Sequence, residues 1–439
     1  MRGTQRVCAS VLTGVFVLGS TSVFAQDSPQ ALRQEIDQLR RDFDALRQQY
    51  GDRLTALETK LSAVEGGAPA AGAAPSPPPP AAPPPAVADV PPGAAGAGGP
   101  TGAIPTYGSA VSGAKVFNPD MAVIGDFLGA AGRNVQNPSP AMEMHESELS
   151  LQAIVDPYAR ADFFVSFGEE GVNLEEGFLT LTELPGGLLT KVGKMRAAFG
   201  KVNTLHNHIL TWTDRPLVTQ NLVGGEDGID DAGISVARLI PNPWIFLEAT
   251  GQVFRGDSGN LYKSSKRGDL SYVGHLRGYR DISESSNIDL GFSYSQGHND
   301  SAADAPLDSL KTQLYGVDAT FRWKPLQRAL YRSFVGRSEW IWSRRDQPTG
   351  LQAANGFYVS GDYQLGRRWF AGARLDRSGR ATDASLVDTG GSLIVTYWPS
   401  EFSQVRAQYR RTNYALAQSA NELLFQFQFS IGAHGAHPF

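Results

Sequence analysis

The sequence predicts an all-β protein, a transmembrane antiparallel β-barrel of about sixteen strands, preceded by an α-helical coiled coil and a disordered Pro/Ala linker. Three observations predict this fold class. Short segments of alternating apolar and polar residues fill the chain from residue 106 onward. The connections between these segments alternate between short and long. Beyond residue 25, no apolar run approaches the roughly 18 residues that a membrane-spanning helix needs.

Residues 1–25 are predicted to be a signal peptide. Arg2 and Arg6 precede an apolar run over 7–18, and Val23 and Ala25 fit the last positions before a cleavage site. The chain is therefore expected to be exported. Cys8, the single cysteine, lies in this segment, so the mature chain would have no thiol for a disulfide, a metal site or a nucleophile.

Residues 28–65 are predicted to form a coiled coil. Apolar residues recur there at steps of three and four, with an interruption at Tyr50 and Gly51, and charged residues occupy the other faces. Such a helix is too polar to join a globular core, so we expect it to self-associate, as a dimer or a trimer. A solitary helix is the alternative.

Residues 66–105 are predicted to be a linker because Ala, Pro and Gly make up nearly all of them. A proline-rich chain of this length reaches on the order of 100 Å in polyproline II form, which is enough to cross a periplasmic layer.

Residues 106–439 are predicted to form the barrel. The clearest strand is the last one, where Leu423, Phe425, Phe427 and Ile431 alternate with polar residues such as Gln426. The expected strands are 120–130, 145–155, 158–168, 172–184, 188–199, 230–240, 244–255, 270–282, 286–297, 312–324, 331–344, 355–366, 368–378, 387–398, 403–414 and 421–432.

The connections also favour a barrel over a soluble β-sandwich. Those near 157, 185, 242, 284 and 400 are short, whereas 131–144, 200–229, 256–269, 298–310 and 345–354 are long and polar. This alternation is typical of an exported up-and-down barrel with both termini on the short-turn side. The short connection near 169–171 departs from it. A sandwich would need one uncharged inner face and would be large at this length.

These features resemble outer-membrane porins of the broad group that includes phosphate-selective porins and trimeric porins with an N-terminal coiled coil. The resemblance is carried by the order of segments, by VGKMRAAFGKVNTLH at residues 192–206, and by the closing aromatic strand. It covers nearly the whole mature chain. It implies a homotrimer in the outer membrane of a Gram-negative-type bacterium, surrounded by outer-membrane lipid, with the N-terminal segment in the periplasm.

Charge is divided unevenly between the two halves of the predicted barrel. Residues 106–310 hold 15 Lys or Arg and 26 Asp or Glu, whereas residues 311–439 hold 16 and 9. The halves face each other across a closed barrel, so a transverse field is expected in the lumen. Alternation with apolar neighbours turns a set of basic side chains inward as candidate pore-lining residues, namely Arg322, Arg337, Arg374, Arg406, Arg410, Lys194 and Arg196.

Some of these inward orientations depend on which way neighbouring residues face, and inward-facing acids would oppose the basic charge. Lys194 and Arg196 point inward if Met195, Ala197 and Phe199 face lipid. The alternative for each basic residue is a side chain that reaches the lipid headgroups. The same alternation also turns a group of acids inward, which would oppose the arginines: Glu148, Asp162, Glu248 and Asp289.

The longest connection, 200–229, is the candidate constriction loop. In the porins that this chain resembles, the third loop folds inward and narrows the pore. Gly224 and Gly225 would give it a flexible joint. An external loop over the mouth is the alternative. The charged or titratable residues of 200–229 that are candidates for the constriction are His206, His208, Asp214, Arg215, Glu226 and Asp227.

Other functional classes have little support. His434 and His437 follow a phenylalanine-rich strand, an ending similar to proteins described as zinc-regulated outer-membrane receptors, but a polar tail is the alternative and no complete metal site is predicted. GDSGN at 256–260 has no matched His and Asp arrangement, and no phosphate loop or dinucleotide fingerprint occurs. We therefore expect no enzyme and no cofactor, and the net charge of −5 argues against a nucleic-acid partner.

The sequence as a whole favours a passive channel for small hydrophilic, anionic solutes. The alternatives are a structural anchor whose coiled coil contacts the cell wall, or a metal-responsive outer-membrane receptor. The transported solute does not follow from the sequence.

Overall fold

The computed structural model describes residues 120–169, 171–299 and 310–432. The predicted signal peptide, coiled coil and linker, and the pair His434 and His437, lie outside these residues. Sixteen strands are present in the described ranges: β1 Asp120–Arg133, β2 Met142–Asp156, β3 Ala159–Gly168, β4 Gly171–Leu184, β5 Leu188–Arg196, β6 Asp230–Leu239, β7 Phe246–Phe254, β8 Ser271–Ser283, β9 Ser286–His298, β10 Lys311–Trp323, β11 Phe334–Arg345, β12 Gln352–Gln364, β13 Trp369–Gly379, β14 Val387–Ser400, β15 Ser403–Tyr414 and β16 Gln418–Gly432.

The strands form one closed antiparallel barrel. Each strand pairs with its neighbours in the sequence, and β1 closes the sheet by pairing with β16 over Ala122–Gly432 to Arg133–Asn421. The prediction of a sixteen-stranded antiparallel barrel is therefore confirmed. Closure leaves no open edge, which is the condition under which a sheet can lie in hydrocarbon.

Side chains alternate between the outside and the inside along most of the strands. In β16, Leu423, Phe425 and Phe427 are 40%, 46% and 45% exposed on the outer surface, while Gln426 and Gln428 are buried in the interior. Other strands repeat the pattern, with Trp340 and Leu375 outside. An apolar exterior around a polar interior is the inverse of a soluble protein, and it fits a barrel whose outer surface meets lipid.

No helix among the described residues is long and apolar enough to cross a membrane.

The strand connections differ in length at the two ends of the barrel. At one end, residues 157–158, 185–187, 284–285 and 401–402 are tight turns. At the other end, the connection between β5 and β6 takes up 197–229 and is called loop 3 here. It contains 3-10 turns at Val202–Thr204 and Asn207–Ile209 and one short helix, α1, at Leu217–Leu222.

The apolar core lies inside the barrel, between loop 3 and one part of the wall. Loop residues pack against inward-facing apolar side chains of the wall and against Leu261 and Tyr262 of the connection between β7 and β8. The main loop members of this core are Val202, Leu210, Trp212, Val218, Leu222, Val223 and Ile229. Charged residues were expected in the lumen, and this apolar core was not predicted from the sequence.

Strand β5 is shorter than expected because its last apolar residues belong to that core. The expectation that Met195, Ala197 and Phe199 face lipid is wrong, since they are 2%, 0% and 1% exposed and buried among loop 3 residues. Burying them inside is favourable because each removes apolar surface from water. The strand ends at Arg196, where the chain turns into the barrel.

The apolar exterior generates a stability prediction. Leu375, 66% exposed near the middle of β13, should tolerate arginine poorly when the barrel is in lipid, because a charge on the lipid face costs about 2–4 kcal/mol at the bilayer midplane. We expect Leu375→Arg to lower the free energy of unfolding in lipid vesicles by that amount. Val135→Arg, at a similarly exposed position between β1 and β2, is the control and should change it by less than about 0.5 kcal/mol. Equal effects of the two substitutions would contradict a lipid-facing exterior.

Candidate functional site: loop 3 and the lumen

Loop 3 is fastened to the wall as soon as it leaves β5. The backbone N–H of Ala198 donates to Gln252 Oε1 (2.6 Å), and that of Gly200 donates to Ser293 Oγ (2.9 Å). Glu339 Oε1 accepts from the N–H groups of Lys201 and Val202, the latter at 3.0 Å. Inward polar side chains of β7, β9 and β11 thus satisfy backbone groups that the loop would otherwise bury without partners.

The far part of loop 3 is held by an ion-pair cluster on the opposite wall. Asp214 Oδ2 accepts from Arg374 Nη2 of β13 at 2.9 Å and from Arg410 Nη1 of β15 at 2.8 Å. Arg374 Nε also pairs with Asp376 (2.7 Å), and Arg410 Nη2 pairs with Glu422 (2.6 Å). The two contacts of Asp214 join residues 160 and 196 positions apart in the chain, at a site that is almost fully buried.

The charge of Asp214 is set by this cluster. Burial alone would raise the pKa of the Asp214 carboxyl, but Arg374 and Arg410 outweigh it and lower the pKa from its ordinary 3.8 to about 2. Asp214 is therefore ionised at neutral pH and carries a full charge between the two guanidinium groups. This local electrostatic attraction holds the crossing segment of the loop in place.

Apolar contacts complete the same attachment. The Trp212 ring lies edge-on to Tyr358 with centroids 5.2 Å apart, and the Arg374 guanidinium lies 5.0 Å from the Trp212 ring centroid. Helix α1 packs against β12 and β13, and its Leu222 is 1% exposed. The chain then reverses at Gly224 and Gly225, which both have positive φ, a conformation that glycine adopts without strain.

The basic residues expected in the lumen are mostly inward-facing but already partnered. Arg406, 3% exposed, donates to the Trp212 carbonyl (3.1 Å) and to Gln426, so it lies beneath loop 3. Arg337 pairs with Asp362 at 2.6 Å, and Arg322 lies 3.8 Å from Asp289. These arginines are therefore already bonded to loop 3 or paired with neighbouring acids inside the barrel.

Lys194 and Arg196, at the end of β5, do not belong to this group of arginines. Lys194 lies on the same face of β5 as the exposed Val192, opposite to the buried Met195, and its ammonium is 2.8 Å from Asp230 Oδ2. The inward assignment for these two residues rested on the outward placement of Met195, which the packing of loop 3 overturns, so Lys194 turns to the outer face, whereas Arg196 still lies inside the barrel. Arg196 is buried at the base of the loop, where it pairs with Glu175 (3.0 Å) and donates to the carbonyls of Glu226 and Asp227 (both 3.2 Å).

The two histidines of loop 3 lie against acids of β2 and β4. His206 is 5% exposed, and its Nδ1 is 2.7 Å from Glu148 Oε2, while its Nε2 is 2.8 Å from Glu176 Oε2. Burial alone would lower the pKa of His206, but the surrounding carboxylates raise it well above the ordinary 6.5. His208, also 5% exposed, lies beside it, with ring centroids 5.7 Å apart.

The remaining loop candidates lie at the base and at the rim. Arg215 binds the loop to itself, donating to the carbonyls of Val202 (3.0 Å) and Leu205 (2.7 Å). Glu226 lies 2.9 Å from His145 and is exposed, as is Asp227. Sequence reasoning named these charged residues, but it missed Trp212, Leu222 and Tyr358. The signal that could have found Trp212 and Leu222 was the concentration of apolar residues between 210 and 223 in a connection expected to be polar.

A polar cavity of about 940 Å³ opens beside loop 3, on the side of β1, β2 and β4. Among the described residues that line it are eight carboxylates and three arginines, so the lining is acidic. The acids are Asp126, Glu143, Glu146, Glu169, Glu175, Asp214, Glu226 and Asp227, and the arginines are Arg196, Arg215 and Arg410.

Comparisons with known proteins support the fold. No family model matches the chain. An uncharacterized protein of Aquifex aeolicus (strain VF5) is 28% identical over 386 residues, covering 74% of this chain and 81% of that protein. The anion-selective porin from Comamonas acidovorans is similar in structure, with a TM-score of 0.52, 11% identity, and coverage of 72% of this chain and 99% of that one. The outer-membrane channel DcaP of Acinetobacter baumannii gives a TM-score of 0.46 at 12% identity, over 72% of this chain and 96% of that one. The comparison with the Comamonas acidovorans porin shows that the barrel has the fold of a solved outer-membrane porin.

The Asp214 cluster generates a pH prediction. Because the pKa of Asp214 is lower in the attached loop than in a released one, its contribution of about 2 kcal/mol is present above pH 4 and is lost as the pH falls toward 2. We expect the fluorescence of Trp212, taken as wild type minus Trp212→Phe, to report release of the loop in that window.

Asp214→Asn is the control for this titration, since Asp376 and Glu422 also face the cluster. The variant should show a released loop already at pH 7 and no further transition that depends on Asp214. A wild-type signal unchanged between pH 5 and pH 2 would contradict the role given to Asp214.

Proposed function

We propose that the chain is an outer-membrane porin, a passive diffusion channel for small hydrophilic solutes. The observation that carries this proposal is that loop 3 lies inside a closed, externally apolar barrel, bonded to strands on several sides of the wall, and leaves a polar cavity beside it. A loop held this way narrows the lumen without filling it. The porin-like fold supports the same function.

The charge of the cavity supports a preference for cations. Eight carboxylates line it against three arginines among the described residues, and the acids stay in excess when Asp214 and Glu175, which are paired with arginines, are set aside. Charges next to low-dielectric walls act strongly on a passing ion. The sequence alone favoured anions because of the inward arginines. Since Arg374 and Arg406 are 1% and 3% exposed and bonded to loop 3, their charge is directed at bound partners, and we propose cation preference instead.

Single-channel recording in planar bilayers tests the proposal. The purified full chain should give stable conductance steps, and its reversal potential in a salt gradient should have the sign of a cation-selective pore. The rival function, a barrel that serves only as a membrane anchor for a cell-wall tether, would give no steps.

Variants at the rim of the cavity test which charges set the selectivity. Glu226→Gln combined with Asp227→Asn should shift the reversal potential toward anions, because two exposed carboxylates leave the lining. Asp383→Asn, at an exposed acid in the connection between β13 and β14, is the matched control and should leave it unchanged. An anion-selective wild type, or a double variant that behaves like the control, would count against the acidic cavity as the selectivity element.

We also propose that the coiled coil at 28–65 joins three barrels, with the linker at 66–105 crossing the periplasm. Three helices attached to barrels in one membrane gain a high effective concentration for each other. Deleting residues 31–65 should leave the barrel heat-modifiable on unboiled gels while reducing the cross-linked trimer. A trimer that persists at wild-type yield would contradict this role.

A further inference from the structure

Two histidines and several carboxylates converge inside the barrel where loop 3 crosses β2 and β4. His206 Nδ1 is 2.7 Å from Glu148 Oε2 and 3.0 Å from Glu175 Oε2. His208 Nδ1 is 3.5 Å from the same Glu148 oxygen and 3.7 Å from Glu146 Oε1. Glu148 therefore lies between the two imidazoles, and three separate segments of the chain meet at one point.

The spacing of these atoms suits a metal ion. One ligand atom from each of Glu148, His206 and His208 lies within 4.8 Å of the others, and all three residues are buried. Glu146, Glu148 and Glu175 form a second such group, so the two groups share Glu148. A zinc ion lies about 2.0–2.2 Å from nitrogen and oxygen ligands, so its ligands lie only a few ångströms apart, as here.

A buried ring nitrogen that makes no hydrogen bond points into this cluster. The His208 side chain is 4% exposed, and its Nδ1 has no hydrogen-bond partner. Glu146 Oε1, the atom 3.7 Å away, is likewise buried without one. A buried polar atom without a hydrogen bond is unfavourable, and one cation bound between these two atoms would give a partner to both.

The outer partners of the cluster are also those of a metal site. Glu176 Oε2 lies 2.8 Å from His206 Nε2, which fixes the orientation of the ring and leaves Nδ1 directed at Glu148. Glu176 in turn accepts from the backbone N–H of Arg196 (2.8 Å). A carboxylate behind a ligating histidine is the usual way in which proteins orient an imidazole toward a metal.

We propose that this cluster binds one divalent transition-metal ion of the zinc type, with His206, His208 and Glu148 as ligands and Glu146 or Glu175 completing the set. Two imidazoles favour zinc over magnesium or calcium, which prefer oxygen ligands alone. The ion would balance the carboxylates that Arg196 does not neutralise, and it would tie loop 3 to β2 and β4. This goes beyond a passive channel, which needs no metal.

Calorimetric titration of the folded full chain with Zn²⁺, and with Mg²⁺ for comparison, tests the proposal without using conductance. One Zn²⁺ per chain should bind and Mg²⁺ should not compete. His206→Gln with His208→Gln should weaken Zn²⁺ binding by more than about 100-fold, because even the loss of an outer partner costs about 10- to 100-fold.

Two controls keep the result specific. His434→Gln with His437→Gln removes the other histidine pair of the sequence, and His275→Gln removes an inward-facing histidine that binds Ser293 (2.8 Å); neither should change the affinity. Zn²⁺ binding that survives without His206 and His208, or that is lost with His434 and His437, would overturn the site.

If the His206→Gln/His208→Gln variant does not fold, a spectroscopic measurement tests the proposal instead. The His434→Gln/His437→Gln protein loaded with one equivalent of Cu²⁺ should show electron paramagnetic resonance splitting from two bound imidazole nitrogens. A spectrum without nitrogen splitting would show that the histidines hold no metal, and the proposal would fail.

Discussion

Backbone pairing around the closed sheet is the constraint on which the other features depend. The contact of β1 with β16 leaves no strand edge, so every strand can present apolar side chains outward without exposing unpaired backbone groups. Once the sheet is closed, the two-residue period of each strand forces alternate side chains into the interior. That interior must then accommodate charged residues such as Asp289 and Arg374, which are 0% and 1% exposed. Each of these charges is balanced by an ion pair with another inward-facing side chain or with a residue of loop 3.

Loop 3 is best understood as part of the interior rather than as a connection. It contributes apolar residues to the core, backbone donors to Glu339 and Gln252, and the carboxylate of Asp214 to two arginines. These contacts are made with several separate strands, so the loop cannot slide as a unit without breaking ion pairs and hydrogen bonds together. The lumen is consequently uneven: one part of the wall lies under the loop, and the acidic cavity lies beside it.

Local pairing, and not the charge of each half of the chain, determines which charges a solute would meet. The basic half of the sequence contributes Arg374, Arg406 and Arg410, yet two of these are covered by loop 3 and the third is bound to Asp214 and Glu422. The same rule applies to His206 and His208. They look like isolated polar residues in a long connection, but in the fold they lie against acids from two strands.

The sequence by itself determined the architecture of this protein. Alternation in segments such as Leu423–Ile431 follows from the pleat of a strand, which is a local property, so strand number, antiparallel order and the inward face of Arg406 could be predicted. Only the tertiary structure decided what the inward residues contact. The partners of Asp214 lie about 160 and 196 positions away, and the outward assignment of Met195 was wrong because a distant loop covers it from inside. Such contacts depend on how the loop folds back into the closed barrel, and no periodicity along the chain records that.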